Sequence, residues 1–393
     1  ALWNVLVNEP VAGTIFESVF RQFHHHPWHG LRFWDLVQPF FMFIVGVAMP
    51  FSLHKRLTRG DPKGKITRHI VQRSLLLLAF GVGLHCGYRG KLVWELWNVL
   101  SQLSMTILIA YFLMRFKPSV QIIASVGLLV LTEILYRTFP LGGYDQPFVK
   151  DHNFGSWMDM VLMGKINNGG GWVAINFIPT AAHTIWGVVA GQWLMSKAGQ
   201  TKKAINLAFT GIIALSAGYF LDLASITPVI KRICTSSFVL VSGGWALLVL
   251  SFSYWLIDIK KVNRWIFPFV IMGMNSIFIY LFSSTIGGQW FNKFVGIFTY
   301  GLLDIFHTPE FVVKLITSLA ILTLEWFLCY YLYKKKIFFR KILIELGRLQ
   351  KTSFSDQSLN TDLEMLIARC NIFEALLIKH FRSEDDFEKM VMK

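Results

Sequence analysis

The sequence predicts an all-α protein, a polytopic transmembrane helix bundle of about nine to ten spans. Three observations predict it. Of 393 residues, 54% are hydrophobic and only 16% are charged, and mean hydropathy is +0.50. The apolar residues, 35 phenylalanines among them, gather into runs close to the ~20 residues a helix needs to cross ~30 Å of hydrocarbon. The formal charge of +15 sits mainly in short connections between those runs, as the positive-inside rule requires. No soluble basic face is left for nucleic acid, so nucleic acid is excluded as a partner and the lipid bilayer is expected.

The elements follow in order. The opening ALWNVLV reads as the tail end of a truncated first helix, with no signal-peptide n-region ahead of it. Spans follow near 36 to 53, 69 to 88, 92 to 114, 119 to 138, 178 to 196, 204 to 222, 236 to 257, 265 to 284 and 311 to 333. Alternating sides places Lys55, Arg56, Arg59, Lys63, Lys65 and Arg68 in one loop. Arg115, Lys117, Lys197, Lys202, Lys203, Lys260, Lys261, Arg264 and Lys334 to Lys336 fall on that same side, which is then cytoplasmic. Residues 8–35, 139–177, 223–235 and 285–310 face the other way. The 139–177 connection, with YDQPF and KINNGGGW, is too long for a turn and too rich in Gly and Asn for a span. It is either an idle outer loop or a lid over a site. The membrane domain is assigned to residues 1–340. The segment 341–393 reads as a cytoplasmic amphipathic helical tail, with Leu363, Leu366, Ile367, Ile372, Leu376 and Leu377 at helical spacing.

Polar groups inside spans are costly and start as functional candidates: Glu95, Gln102, Glu133, His183, Asn275 and Glu325. Each also has a plain explanation. Glu95 and Glu133 lie near predicted span ends and can reach water. His183, in IPTAAHTIWG, can be satisfied by a neighbouring helix, and Asn275, in GMNSIFIY, can make a helix-packing hydrogen bond. Cys86, Cys234, Cys329 and Cys370 have no C-x-x-C spacing, so neither a disulfide framework nor a zinc site is legible.

One stretch combines several features: FHHHPWHGLRFWDLVQPF, residues 23–40. Imidazole titrates near neutrality and can take a proton from an attacking group and return one to a leaving group. Asp35 is the only acid near enough to fix its tautomer. Trp28 and Trp34 offer flat faces for stacking on a sugar or an adenine. A metal reading of His24, His25, His26 and His29 is weak, because adjacent residues rarely point at one ion and no second ligand pair exists. No metal is expected.

His25, Trp28 and Gly30 form H-x-x-W-x-G, followed by Asp35-Leu36 and by Pro39, Phe41, Phe43 and Gly46 as P-x-F-x-F-x-x-G. These residues resemble the heparan-alpha-glucosaminide N-acetyltransferase family and its bacterial relatives. IPTAAHTIWGVVAGQWL (178–194), PVIKRICTSSFVL (228–240) and GMNSIFIY (273–280) are similar to later segments of that family, so the resemblance covers roughly residues 1 to 340. Cys234 stands where the family has tryptophan. The S-L-D-x-x-R-G opening is absent, and the tail is not a family feature.

The resemblance implies an acyltransferase of the bacterial inner membrane, moving acetyl from cytoplasmic acetyl-CoA to an amino sugar or glycan on the outer side. It implies His25 as catalytic base or acetyl carrier, and Asn8, in LVNEP, as the matching asparagine. Asp35 supports His25. Trp28, Trp34, His183, Asn275 and Lys231 are candidate substrate contacts. Lys55, Arg56 and Arg68 are candidates to attract the CoA phosphates. A homodimer is an admissible assembly. Two other classes stand against this reading: a transporter of a small sugar-like solute, disfavoured by the absence of a repeat between the halves, and a non-catalytic scaffold read through the tail.

Overall fold

The computed structural model describes Ser18 and residues 21–139, 142–262 and 266–335. Asn8, Cys370 and the 341–393 tail lie outside the described residues. Within them every regular element is helical, apart from a single antiparallel bridge between His29 and Ile230.

A 3-10 turn, Phe33–Leu36, leads into α1 (Val37–Thr58). Pro39 falls in the first turn of α1, where its missing N–H costs no helix bond, and Lys55 and Arg56 fall in the last turn, where cations complement the helix dipole. Helix α2 (Lys63–Arg89) stops at Gly90, whose φ of +63° gives a left-handed cap. Helix α3 (Val99–Leu113) is capped by Asn98, whose Oδ1 accepts from the Leu100 and Ser101 amides at 3.0 Å each. Then come α4 (Pro118–Thr138), α5 (Phe154–Met163), α6 (Phe177–Met195), α7 (Gln200–Leu223) and α8 (Ser236–Tyr254). Helices α9 (Ile266–Met274) and α10 (Ser276–Phe282) continue through a π-helical stretch, Ser283–Phe291, into α11 (Asn292–Asp304), and α12 (Glu310–Lys334) closes the described part.

Six helical stretches are long and apolar enough to cross a membrane: Phe33–Thr58, Lys63–Arg89, Pro118–Thr138, Gln200–Leu223, Ser236–Ile259 and Val312–Lys334. The pair Ile266–Met274 and Ser276–Asp304, bent by 73°, makes a seventh if it is one span. The expectation of nine to ten differs for physical reasons. The run from 92 is irregular until Asn98, which leaves α3 only 15 residues, so Glu95 belongs to a loop and not to a span. Helix α6 has 19 residues, but His183, Gln192 and its threonines dilute its hydropathy. It can bear them because most of its surface is buried by protein. The run 265–284 is not straight: it breaks at Asn275. The expected outer loop 285–310 is largely helical.

The centre of the bundle is the crossing of α1 and α6. A Cβ at Gly46 would collide with the Thr184 carbonyl, one at Gly187 with the Phe43 carbonyl, and one at Gly191 with the Val47 carbonyl. Small residues there let two backbones touch, the usual device for packing helices in lipid. Helices α2 and α3 pair beside this crossing, α4 packs on α6, and α7 pairs with α8. Ile123, Phe209, Phe220 and Phe269 point outward and stay exposed, as lipid-facing side chains do. From Asp35 to Lys55 the chain rises 20 residues, about 30 Å at ~1.5 Å each. The histidine stretch and the basic α1–α2 turn therefore sit at opposite ends of the bundle. The histidine end gathers the segments 21–32, 90–98, 142–176 and 224–235.

Candidate functional site

Asp35 organises the histidine end. It is 1% exposed, and the 3-10 turn aims its carboxylate back at the preceding loop. Oδ2 accepts from the backbone amides of His26 at 3.1 Å and Arg32 at 3.0 Å, while Oδ1 lies 2.8 Å from His25 Nδ1. Lys231 arrives from the 224–235 loop, with Nζ 3.4 Å from Asp35 Oδ1 and 3.1 Å from His25 Nδ1. Asp35 thus bridges an imidazole and an ammonium. Burial lowers the Lys231 ammonium to about 8, against the opposing pull of Asp35.

His25 itself remains 36% exposed. With Nδ1 committed to the Asp35–Lys231 side, Nε2 is left without a protein partner among the described residues. That arrangement fits an Nδ1–H tautomer whose Nε2 lone pair is available for proton transfer or nucleophilic attack. The ring meets Trp172 edge-on at 5.5 Å between centroids and Trp34 at 6.5 Å in a tilted contact. Trp172 is also faced by Lys231 Nζ at 5.2 Å from its ring centre and by the Arg232 guanidinium at 5.4 Å.

Each residue of H-x-x-W-x-G has a physical task. His25 is the presented ring. The Trp28 indole N–H donates to the Phe148 carbonyl at 2.7 Å and so ties the 142–176 segment to the site. Gly30 has φ +136°, and a Cβ there would lie 2.6 Å from His26 Nε2, so only glycine lets the His26 ring pack under the turn. The Gly30 amide donates to the Val229 carbonyl at 2.8 Å, and His29 Nε2 lies 2.7 Å from Asp222 Oδ1. Those contacts clip the histidine loop to the loop that supplies Lys231. The four histidines thus have separate environments, and among the described residues no group of three His, Cys, Asp or Glu side chains could hold a metal ion.

The 224–235 loop is rigid for local reasons. Thr235 Oγ1 and Ser237 Oγ both donate to the Pro228 carbonyl at 2.7 Å. Cys234 has φ +48°, and its buried thiol, which burial raises to about 12, donates to the Lys231 carbonyl at 3.0 Å. It is a packed thiol and not a nucleophile.

Other sequence candidates go elsewhere. His183 is fully buried inside the bundle, with Nε2 2.8 Å from Ser242 Oγ and its ring against Trp186. Asn275 is buried at the break between α9 and α10. Gln102 accepts from Gln38 at 2.5 Å, and Glu133 binds Arg137 at 2.9 Å. Glu325 accepts from Ser283 at 2.6 Å. Lys55 and Arg68 are exposed and Arg56 half-exposed at the far end of the bundle.

Sequence reasoning missed Trp172 and Arg232. Trp172 follows three glycines in a segment read only as lid or loop, and no local pattern ties it to a histidine about 150 residues earlier. It named Glu95 but let it reach water, whereas the structure makes it a second buried acid. Glu95 is 1% exposed and lies 2.7 Å from His85 Nδ1, 2.8 Å from Lys165 Nζ and 3.3 Å from Arg89 Nε. Burial opposes its ionisation, yet Lys165, His85 and Arg89 together hold it below the usual carboxylate range. Beside it, Asp159 accepts from Trp97 Nε1 at 2.6 Å and from the Ala174 amide at 2.8 Å. Burial raises the Asp159 carboxyl to about 7.

The fold and site define a class: an all-helical protein with membrane-crossing helices and an acid-supported histidine presented at one end of the bundle. A family model described as heparan-alpha-glucosaminide N-acetyltransferase, catalytic, matches residues 14–219, more than half of the chain. The chain belongs to that family. It is 27% identical to the heparan-alpha-glucosaminide N-acetyltransferase of Mus musculus and 26% identical to that of Homo sapiens, each match covering 81% of this chain and 56% of the relative. The chain thus spans about half the length of the curated relatives it matches.

Proposed function

We propose that the chain is an integral membrane acetyltransferase. It moves acetyl from acetyl-CoA on the cytoplasmic side to the amine of an amino sugar or glycan on the outer side. The observation that supports this best is the His25–Asp35 pair: a buried carboxylate on Nδ1, and Nε2 turned to the half-exposed side of the ring. In the direct route His25 Nε2 takes the proton of the sugar amine as its nitrogen attacks the thioester carbon. The C–S bond breaks, and the proton passes to the departing sulfur. In the two-step route Nε2 attacks the thioester carbon first, the C–S bond breaks and CoA leaves as the thiolate; the amine then attacks the acetyl-imidazole, the acetyl–Nε2 bond breaks, and the freed Nε2 takes the amine's proton. Asp35 stabilises the imidazolium in either route. Asn8 is proposed as a donor to the developing oxyanion, a contact worth about 3 kcal/mol in other acyl transfers.

Lys55 and Arg56 on the last turn of α1, with Arg68 at the start of α2, are suited to hold CoA phosphates as point charges. Their separation from His25 by the length of α1 supports donor entry at one end and acceptor entry at the other. Trp34 and Trp172 would flank the acceptor sugar. Trp28 would support it by anchoring the 142–176 segment, and Lys231 would hold Asp35 and His25. His183 and Asn275 are proposed to act from inside the bundle, shaping the donor path. On this reading α3 and α6 are further crossings, which with the seven apolar spans give nine. The basic turns face the cytoplasm of a bacterial inner membrane, and the protein works alone or as a homodimer.

Purified protein in detergent, given acetyl-CoA and a panel of amino sugars, is expected to release CoA with at least one acceptor and not with its N-acetylated form. Failure of every acceptor, or equal release by His25→Ala, contradicts the proposal.

A further inference from the structure

Asp159 is a buried acid that no cation pairs with among the described residues. Its carboxylate is 0% exposed, and its two oxygens accept from neutral donors: Oδ2 from the Trp97 indole N–H at 2.6 Å and Oδ1 from the Ala174 amide at 2.8 Å. The basic groups of this corner end on Glu95 instead. Lys165 Nζ lies 5.9 Å and the His85 ring 6.2 Å from the centre of the Trp97 ring, yet both bind Glu95, as Arg89 does. From α4, Tyr136 faces Asp159. A buried charge without a counter-ion lowers stability, so the segment that Asp159 holds matters.

That segment leads to His25. Gly171 makes a left-handed turn with φ +67°. Trp172 follows, its ring centre 5.5 Å from that of His25. Val173 is extended and 1% exposed, and it packs with Ile230 and Ile233 of the loop that supplies Lys231. From Trp172 to Ala174, the one backbone N–H with a hydrogen-bond partner among the described residues is that of Ala174, and the partner is Asp159.

We infer that Asp159 is a positioning residue for the transfer site: as a carboxylate it clamps residues 172–174 so that Trp172 lies against His25, and on taking a proton it releases them. The carboxylate accepts from both N–H groups. Once protonated, one oxygen carries a hydrogen of its own that faces two donors, so one of the two bonds is weakened. Burial raises the carboxyl to about 7, so the clamp closes above neutrality and opens below it. The inference rests on the transferase reading for what Trp172 serves, an acceptor sugar, whereas the clamp itself is measurable without catalysis.

The test is fluorine NMR of the full chain in detergent, with fluorotryptophan at all 14 tryptophan positions and the Trp172 resonance assigned through Trp172→Phe. That resonance is expected to titrate with a midpoint near 7. The step should persist in His25→Ala and in Lys231→Met, which remove the other titrating groups set against the ring. Asp159→Asn should hold the resonance near its low-pH position at every pH. Trp97→Phe takes one N–H from the carboxylate and should move the midpoint up by about one pH unit or more. Thermal melting confirms that each variant folds. A wild-type resonance that does not titrate near 7, a step that survives Asp159→Asn or vanishes in His25→Ala or Lys231→Met, or a midpoint unmoved by Trp97→Phe overturns the inference. With an active amino sugar, Asp159→Asn should also raise the acceptor KM by about threefold or more while changing kcat less. An unchanged KM overturns the positioning role, whereas a panel with no active acceptor defeats the transferase reading and leaves the titration to decide the clamp.

Discussion

Asp35 and Glu95 are nearly the same object in two places. Both are carboxylates 1% exposed at the same end of the bundle, and both touch a histidine and a lysine. Glu95 also binds Arg89, so its charge is outnumbered by cations whose contacts end on it. Its histidine, His85, packs its ring against Tyr88 and Trp97 and belongs to α2. Asp35 is completed by backbone amides instead, and it leaves its histidine 36% exposed, against 18% for His85. A buried acid with a histidine is therefore not a reaction centre by itself. What matters is how far the imidazole is open to a substrate.

The comparison can be broken most forcefully at the two histidines. His25→Ala is expected to lower acetyl transfer by about 10² to 10⁴-fold, the range of a lost general base. His85→Ala should change transfer no more than a few-fold while lowering the melting temperature. Measured CoA release with an active acceptor separates them, and equal losses would erase the distinction between the sites. Next in size, Asp35→Asn should cut kcat by about 10²-fold or more through the wrong His25 tautomer. Glu95→Gln should act mainly on thermal stability, because it leaves Arg89 and Lys165 unmatched.

Asp159 sharpens the contrast through pH. Its carboxyl is raised in the folded protein to about 7 from an ordinary 3.8, so between these values the folded chain binds more protons than the unfolded one. Stability should fall as pH rises through that window, by up to about 1.4 kcal/mol per pH unit, and level off above pH 7. Melting in detergent across pH 4.5 to 8 should show this slope in wild type and lose it in Asp159→Asn. An unchanged slope in the variant would assign it to other groups. The smallest effect is expected at Lys231. Its ammonium is lowered to about 8, so the cation beside His25 is lost as pH rises through 8. Lys231→Met should remove any step in the transfer rate near pH 8, and a wild-type profile flat there would count against its contact with the site.

The sequence made much of this legible, and the physical reasons are uneven. Long apolar runs such as Pro118–Thr138 declared themselves because their surface meets lipid. Helix α6 was legible as a segment but less apolar than a lipid-facing span, since His183 is buried among protein and the half-buried Gln192 is bonded to Gln121 and the Met114 carbonyl. The break at Asn275 left no proline to mark it. His25 and Asp35 were legible because they are ten residues apart on one loop. Trp172 and Arg232 were not, because their partners come from segments some 60 to 150 residues away; Glu95 has His85 ten residues before it, but its burial depends on Lys165, 70 residues on, and only the folded bundle sets them side by side.

The central claim is that His25 Nε2 handles the proton or the acetyl group. Imidazole added to His25→Ala tests it most directly, because truncating a half-exposed ring leaves space beside Asp35 that a free imidazole can enter. Concentration-dependent recovery of acetyl transfer in that variant, with no such response in His85→Ala or wild type, is the predicted result. A His25→Ala variant that transfers acetyl at the wild-type rate, or a correctly folded one that stays inactive at every imidazole concentration while Asp35→Asn retains full activity, would contradict it.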